Sequence, residues 1–343
     1  MSKAAELANL IGNINAGGGG VNRNVIINGA MNVAQRATSA TGLGSVTDYN
    51  VCDRWVVGGS STDGRLTLSQ DSSAPSGFAN SLKFDCTTAD TSIASGEGLN
   101  IQHRFEGQNL QAFAKGTSDA KPFALSFYVK GNASATYVAE LYDNDNTRQI
   151  SKTFNVTTDW TRVELTYPAD TTGAFDDDNA LSLYLLIWLH GGSNYTSGTL
   201  NSSSWASVTT ANRAVGISSF YSSTDNTFFL TGVQLEVGQN PTEFEHEPFE
   251  RTLNKCYRYF LSVARGRGSA RGSATGGQQL AYSHALPVQM RASPTITHVG
   301  VERSGCSHEG YTNTNVNHVA ALVDVSSTSY WYYNDGYTAE SEL

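Results

Sequence analysis

Between residues 65 and 237 the chain is a succession of short segments in which apolar and polar residues alternate, most of them ended by Gly, Asn or Asp. RLTLSQ (Arg65–Gln70) alternates cleanly, and FALSFYVKG (Phe123–Gly131), SATYVAELYD (Ser134–Asp143), QISKTFNVTT (Gln149–Thr158) and WTRVELTYP (Trp160–Pro168) follow as a series. Successive side chains on a strand point to opposite faces, so a period of two fits half-buried strands rather than helices. DNDN at Asp143–Asn146 sits where a hairpin turn belongs, because Asn and Asp tolerate the left-handed backbone of a turn. LSLYLLIWL (Leu181–Leu189) reads as a strand covered on both faces, and FFLTGVQLEV (Phe228–Val237) as another. Many short strands at fairly regular spacing predict an all-β fold, a sandwich or jelly roll.

Composition narrows the partners. Only 15% of residues are charged, where ordinary soluble proteins carry about 25%. The net charge of −9 argues against a nucleic-acid partner, which needs a basic patch to neutralise phosphates. The longest apolar run, Ala180–His190, is too short to cross a bilayer as a helix, and the start has no apolar stretch of signal-peptide length. No membrane insertion is expected. Cys52, Cys86, Cys256 and Cys306 are scattered with no CxxC, so they are expected to be reduced and buried as small apolar side chains.

The two ends differ from the middle. Ala4, Leu7, Ala8, Ile11 and Ile14 follow helical spacing, and Leu10 adds to this apolar character. A glycine run, Gly17–Gly20, then makes a flexible tether. Residues 1–23 are expected to form an anchor, with Leu7, Leu10, Ile11 and Ile14 as its attachment residues. Residues 24–248 form the large β-domain. Within 249–343, Tyr257–Val288 pairs two apolar segments around a basic Gly/Ser loop, and three further strands follow. This smaller β-domain has little core, so association is expected to stabilise it.

The sequence also resembles a known class of proteins. NVIINGAMNVAQRATS (Asn24–Ser39) followed by DRW (Asp53–Trp55) resembles the opening of phage tail-fibre and virion appendage proteins. ALSFYVKGNASATYVAELYD, FNVTTDWTRVELTY and FFLTGVQLEVGQNPTEFE resemble a carbohydrate-binding-module-like jelly roll, and CYRYF and LPVQMRASPTIT are similar to the joint and distal domain of the same appendages. The resemblance implies a virion protein, assembled in the host cytoplasm as a homotrimer and attached to other virion proteins through its N-terminus. Its expected role is recognition of host-surface glycan without catalysis. Two alternatives stay open: a purely structural capsid (head) fibre or decoration protein, and a polysaccharide depolymerase.

Glycan cleavage needs two carboxylates flanking a sugar-sized gap. The dense candidates are Asp176–Asp178 and the group Glu243, Glu245, Glu247 and Glu250; the first reads as a turn and the second as the seam between domains. In that seam, alternation puts Phe244 and His246 on one side and Glu245 and Glu247 on the other. DNDN or DDDN could supply oxygens to a structural calcium, but neither has EF-hand spacing, and no metal or other cofactor is expected. Sugar binding rests on aromatic faces beside adaptable polar groups. Trp188, Tyr195 and Trp205 around a loop rich in Ser, Asn and Gly are the first candidates, with Trp331 and Tyr332 in a C-terminal aromatic band as the second. Trp55 and Trp160 are expected in the core.

Overall fold

The computed structural model describes residues 2–15, 22–326 and 329–343. The chain forms two compact units, Met1–Phe249 together with Leu343, and Glu250–Glu342. The strands of the first are β1 (Ser39–Leu43), β2 (Asp48–Tyr49), β3 (Trp55–Ser60), β4 (Arg65–Asp71), β5 (Ser81–Thr88), β6 (Gly98–Glu106), β7 (Phe123–Gly131), β8 (Ala135–Asp143), β9 (Arg148–Val156), β10 (Thr161–Tyr167), β11 (Leu181–Gly191), β12 (Ala206–Ser207) and β13 (Thr227–Val237). Among the described residues they make two antiparallel sheets. One has the order β1-β4-β5-β13-β7-β10, the other β12-β9-β8-β11-β6-β3-β2. The unit is an all-β jelly-roll sandwich.

The alternation seen in the sequence decides what lies between the sheets. Phe123, Leu125, Phe127 and Val129 of β7 face Leu183, Leu185, Ile187 and Leu189 of β11 in one buried core. β11 lies between β8 and β6 and is covered on both faces, because its inward residues meet the core while its outward Leu186 and Trp188 pack with Val138 and Ala214 in a separate cluster. The expected turn follows β8, and the four cysteines are free and buried. β13 carries a bulge between Thr231 and Gln234, where Gly232 has φ +61° and a Cβ would lie 2.7 Å from the Phe78 ring. Only glycine suits that position.

The segment after residue 22 is tied down by the residues that carry the resemblance. Asn28, at φ 59°, donates from Nδ2 to the carbonyls of Val33 and Asp53 and accepts from the Val33 amide. The Trp55 indole donates to the Asn28 carbonyl at 3.0 Å, and the Asp53 carboxylate accepts from Gln35. Trp55 is core. Trp160 is not: it stands half-buried on the outer face of the six-stranded sheet, edge-on to Phe229, because its strand begins only at Thr161 and it keeps the outward parity of Arg162.

The acidic stretch after β13 closes onto the same unit. Buried Glu236 accepts from the Thr242 amide at 2.7 Å and lies 3.3 Å from Arg23, while Glu245 accepts from the amides of Asn22 and Asn24. Phe244 and His246 share a side, as alternation predicts, and both pack against Phe78.

At the N-terminus, α1 (Lys3–Asn15) leaves Leu7 58% and Ile11 49% exposed, with Leu10 partly covered. The side chain of Ile14 and the glycine tether lie outside the described residues.

The second unit opens with a helix that the sequence reading missed (α3, Phe249–Tyr257; α2 is a single turn, Ser193–Thr196). Pro248 precedes it, Glu250 and Lys255 suit the two ends of its dipole, and Thr252 and Cys256 form a short buried stripe. β14 (Phe260–Ala274), β15 (Gln279–Ala285), β16 (Thr295–Ser304), β17 (Cys306–Asn315), β18 (His318–Val325) and β19 (Ser329–Glu340) then form two three-stranded sheets, β14-β19-β16 and β15-β18-β17. The basic Gly/Ser stretch expected as a loop is instead the body of β14. Its backbone pairs with the aromatic strand β19, Gly272 opposite Trp331, so a large ring covers the strand where glycine offers none.

Candidate functional site

The outer face of the seven-stranded sheet is partly roofed by the residues that follow β11. Tyr195, Leu200, Ala214 and Ile217 pack there against Val138, Leu186 and Trp188. Beside that roof a cleft of ≈ 220 Å³ opens over β3, β6 and β11. Its floor is polar. Asn100 and Gln102 project outward from β6, and Gln102 Nε2 donates to Asn100 Oδ1 at 2.8 Å. Arg104 in turn donates to Gln102 Oε1 from Nε and Nη2, so the amide orientations are fixed in a ladder along the strand. Gly58 makes room for that ladder, since a Cβ there would lie 2.3 Å from both amide groups.

The wall is aromatic and cationic. Trp188 donates from its indole to Glu140 Oε2 at 2.7 Å, and Arg213 Nε lies 2.9 Å from Glu140 Oε1. Glu140 is fully buried, so this ion pair is screened little by water and fixes both partners. The guanidinium stacks 5.2 Å from the Trp188 ring and 4.9 Å from Tyr142. Burial opposes the charge of Arg213, but the Glu140 carboxylate outweighs it and raises the guanidinium's pKa. Tyr195 leans on Trp188 with ring centroids 4.9 Å apart. It also borders a shallow depression of ≈ 460 Å³ lined by Ser193, Asn194, Ser197 and Thr210, so its ring forms a ridge between two polar hollows.

Of the five aromatic candidates, Trp188 and Tyr195 are brought together. Trp188 is 3% exposed and backs the site, while half-buried Tyr195 offers the accessible ring. Trp205 has to be corrected: it lies in the main core, tilted against Phe123 at 5.6 Å, with its indole donating to the Pro168 carbonyl. A ring committed to the core has no face for a sugar. Trp331 is likewise packed with Val323, Val325 and Tyr333 inside the second unit, and Tyr332 stands half-buried beside it in the strand. Asn100, Gln102 and Arg213 were missed. The only signal for the first two was their outward parity on GLNIQHRFE, where Asn100, Gln102 and Arg104 alternate with Leu99, Ile101 and His103.

The carboxylates considered for catalysis lie elsewhere. Asp176, Asp177 and Asp178 sit in an exposed turn, and Glu243 is exposed beside Arg162 at 3.5 Å. A Ser-His-Glu array does exist, with His190 and Glu97 buried and Ser219 half-buried: His190 contacts Ser219 Oγ at 2.8 Å and Glu97 Oε2 at 3.0 Å. His190 has no exposed surface, and both its ring nitrogens are partnered by the array. Asp143, from the run considered for calcium, already faces a cation. The Lys115 ammonium lies 2.5 Å from Asp143 Oδ2, 3.2 Å from Asp170 Oδ2, and 3.0 and 2.7 Å from the carbonyls of Thr172 and Gly173. Among the described residues no group of three or more His, Cys, Asp or Glu could hold a metal ion.

No model of a known protein family matches the sequence, and no curated protein matches it. Solved structures do. The chain is similar to the family 11 carbohydrate-binding module of a Clostridium thermocellum cellulosomal cellulase, at 12% identity and TM-score 0.29, over 60% of this chain and 99% of that one. It is similar to a xylan-binding domain from Paenibacillus barcinonensis at 13% identity and TM-score 0.28, over 59% and 93% of the two chains. It is also similar to the enzymatically active domain of tailspike protein 4 of bacteriophage CBA120, at 11% identity and TM-score 0.33, over 63% of this chain and 21% of that one.

Proposed function

We propose that this protein is a non-catalytic virion appendage that binds a host-surface glycan in the cleft over β3, β6 and β11. One observation carries the reading: an accessible ring, Tyr195, lines the same cleft as the amides of Asn100 and Gln102, which are held in one orientation by Arg104. A flat ring suits the apolar face of a pyranose, and fixed amides suit its hydroxyls. The cleft is small and open-ended, so a single site binds weakly. Three copies on a homotrimer facing a repetitive polymer would gain about 10²–10⁴ in avidity without new contacts.

The remaining parts follow from this assignment. The exposed apolar residues Leu7 and Ile11 of α1 fit attachment to another virion protein, and they serve a tail fibre or a capsid fibre equally well. An array of neutral glycans probed with the intact protein tests the reading. Wild type should bind a restricted set of glycans, and Tyr195→Ala should abolish that binding while leaving the melting curve unchanged. Binding that survives Tyr195→Ala and Asn100→Ala together refutes the cleft.

A further inference from the structure

The opposite face of the sandwich carries a second arrangement that the cleft does not use. In the six-stranded sheet, Phe229 of β13 lies directly across from Lys83 of β5 on one side and Lys130 of β7 on the other. Core residues flank each of them in sequence (Leu82 and Phe84, Phe228 and Leu230, Val129), so all three point outward. Trp160 continues the row, one residue before the Thr161–Val129 pair that opens β10. The result is a line across adjacent strands: lysine, aromatic, lysine, aromatic.

The contacts agree with the register. The Lys83 and Lys130 ammonium groups lie 5.8 and 5.7 Å from the centre of the Phe229 ring, and Trp160 meets that ring edge-on at 6.0 Å. All are partly exposed. Lys83 has Asp85 at 3.2 Å, whereas Lys130 pairs with no carboxylate among the described residues. One end of this face is covered: Phe78, Phe244 and His246 pack together, and Arg23 reaches buried Glu236. Outside that cover two cations and two rings collect, with Asp85 and the Arg162-paired Glu164 also on the face, on a chain whose net charge is −9.

We infer that this row is a second binding site, for a carboxylate-bearing polysaccharide lying across the strands. Strands are about 4.8 Å apart, so the two lysine positions are separated by about 10 Å. That spacing suits a polymer with one carboxylate per two sugars, whose intervening ring stacks on Phe229. A nucleic acid carries a phosphate on every nucleotide and needs a denser basic track than two lysines, one of them shared with Asp85.

Affinity electrophoresis through gels containing hyaluronate, which carries one carboxylate per two sugars, or neutral dextran tests the inference. The intact protein should be retarded by hyaluronate at low salt, should lose that retardation at high salt, and should pass dextran freely. Lys83→Gln with Lys130→Gln should weaken retardation at least tenfold, and Asp85→Asn, which frees Lys83, should strengthen it. Tyr195→Ala should leave it unchanged, which separates this site from the cleft. Absence of retardation at low salt, retardation unaffected by the lysine changes, or equal retention by a single-stranded oligonucleotide would each overturn the inference.

Discussion

Replacing Lys115 by Ala should be among the most damaging single changes in the molecule. Its ammonium is fully buried and is surrounded by two carboxylates and two carbonyls, with Phe175 and Trp205 rings 5.2 and 5.3 Å away. Removing it strands Asp143, whose remaining contacts are from Asn146, and leaves Asp170 to Arg148. Breaking one side of a buried pair costs about 3–5 kcal/mol, because the orphaned charge keeps its desolvation penalty. For a unit of this size each kcal/mol lowers the melting temperature by about 2–4 °C, so the expected drop is on the order of 10 °C. The emptied cage would still hold four oxygens, to which waters could be added to reach the six or more that calcium takes. Millimolar calcium should therefore recover part of the lost stability in Lys115→Ala and do nothing for wild type. Differential scanning calorimetry with and without calcium reads both effects. A loss below about 1 kcal/mol would refute the energetic reasoning, and a calcium-insensitive variant would refute the reading of the cage as a cation site.

Three further outcomes follow from particular residues. Trp205→Ala should destabilise the first unit by about 3–5 kcal/mol in denaturant titration, the range for deleting a core aromatic, whereas a sugar-stacking role would leave stability intact. Asp170 is pushed up by burial, but hydrogen bonds from Arg148 and the Thr172 amide, with the Lys115 charge, outweigh this and hold its pKa below the usual carboxylate value. Its stabilising contribution is then complete above about pH 4 and is lost as pH falls through the lowered pKa, so Asp170→Asn should flatten the acid limb of a stability–pH curve below about pH 4. Deleting residues 1–20 should leave a folded protein that no longer incorporates into particles; normal incorporation would remove the attachment role from α1.

The sandwich was legible because its strands alternate and its turns carry Asn, Asp and Gly, which local chemistry alone can read. β14 was not, since RGRGSARGSA has neither alternation nor β-formers, and only the pairing with aromatic β19 makes it a strand. The helix at Phe249–Tyr257 was obscured by its length, too short for a hydrophobic period to stand out. Tyr195, picked out from its loop, does line the candidate cleft, whereas Trp205 lies in the core because a polar neighbourhood in sequence says nothing about which sheet the side chain meets. Arg213 was invisible for a related reason. It acts through Glu140, 73 positions away, and nothing local links the two.

Hydrogen–deuterium exchange on the intact protein, with and without a saturating oligosaccharide chosen from the glycan array, tests the central claim most directly. The account predicts added protection in β3, in β6 around Asn100 and Gln102, and in the residues from Ser193 to Arg213. Protection confined to β19 around Trp331 and Tyr332, or to no part of the seven-stranded sheet, would contradict it.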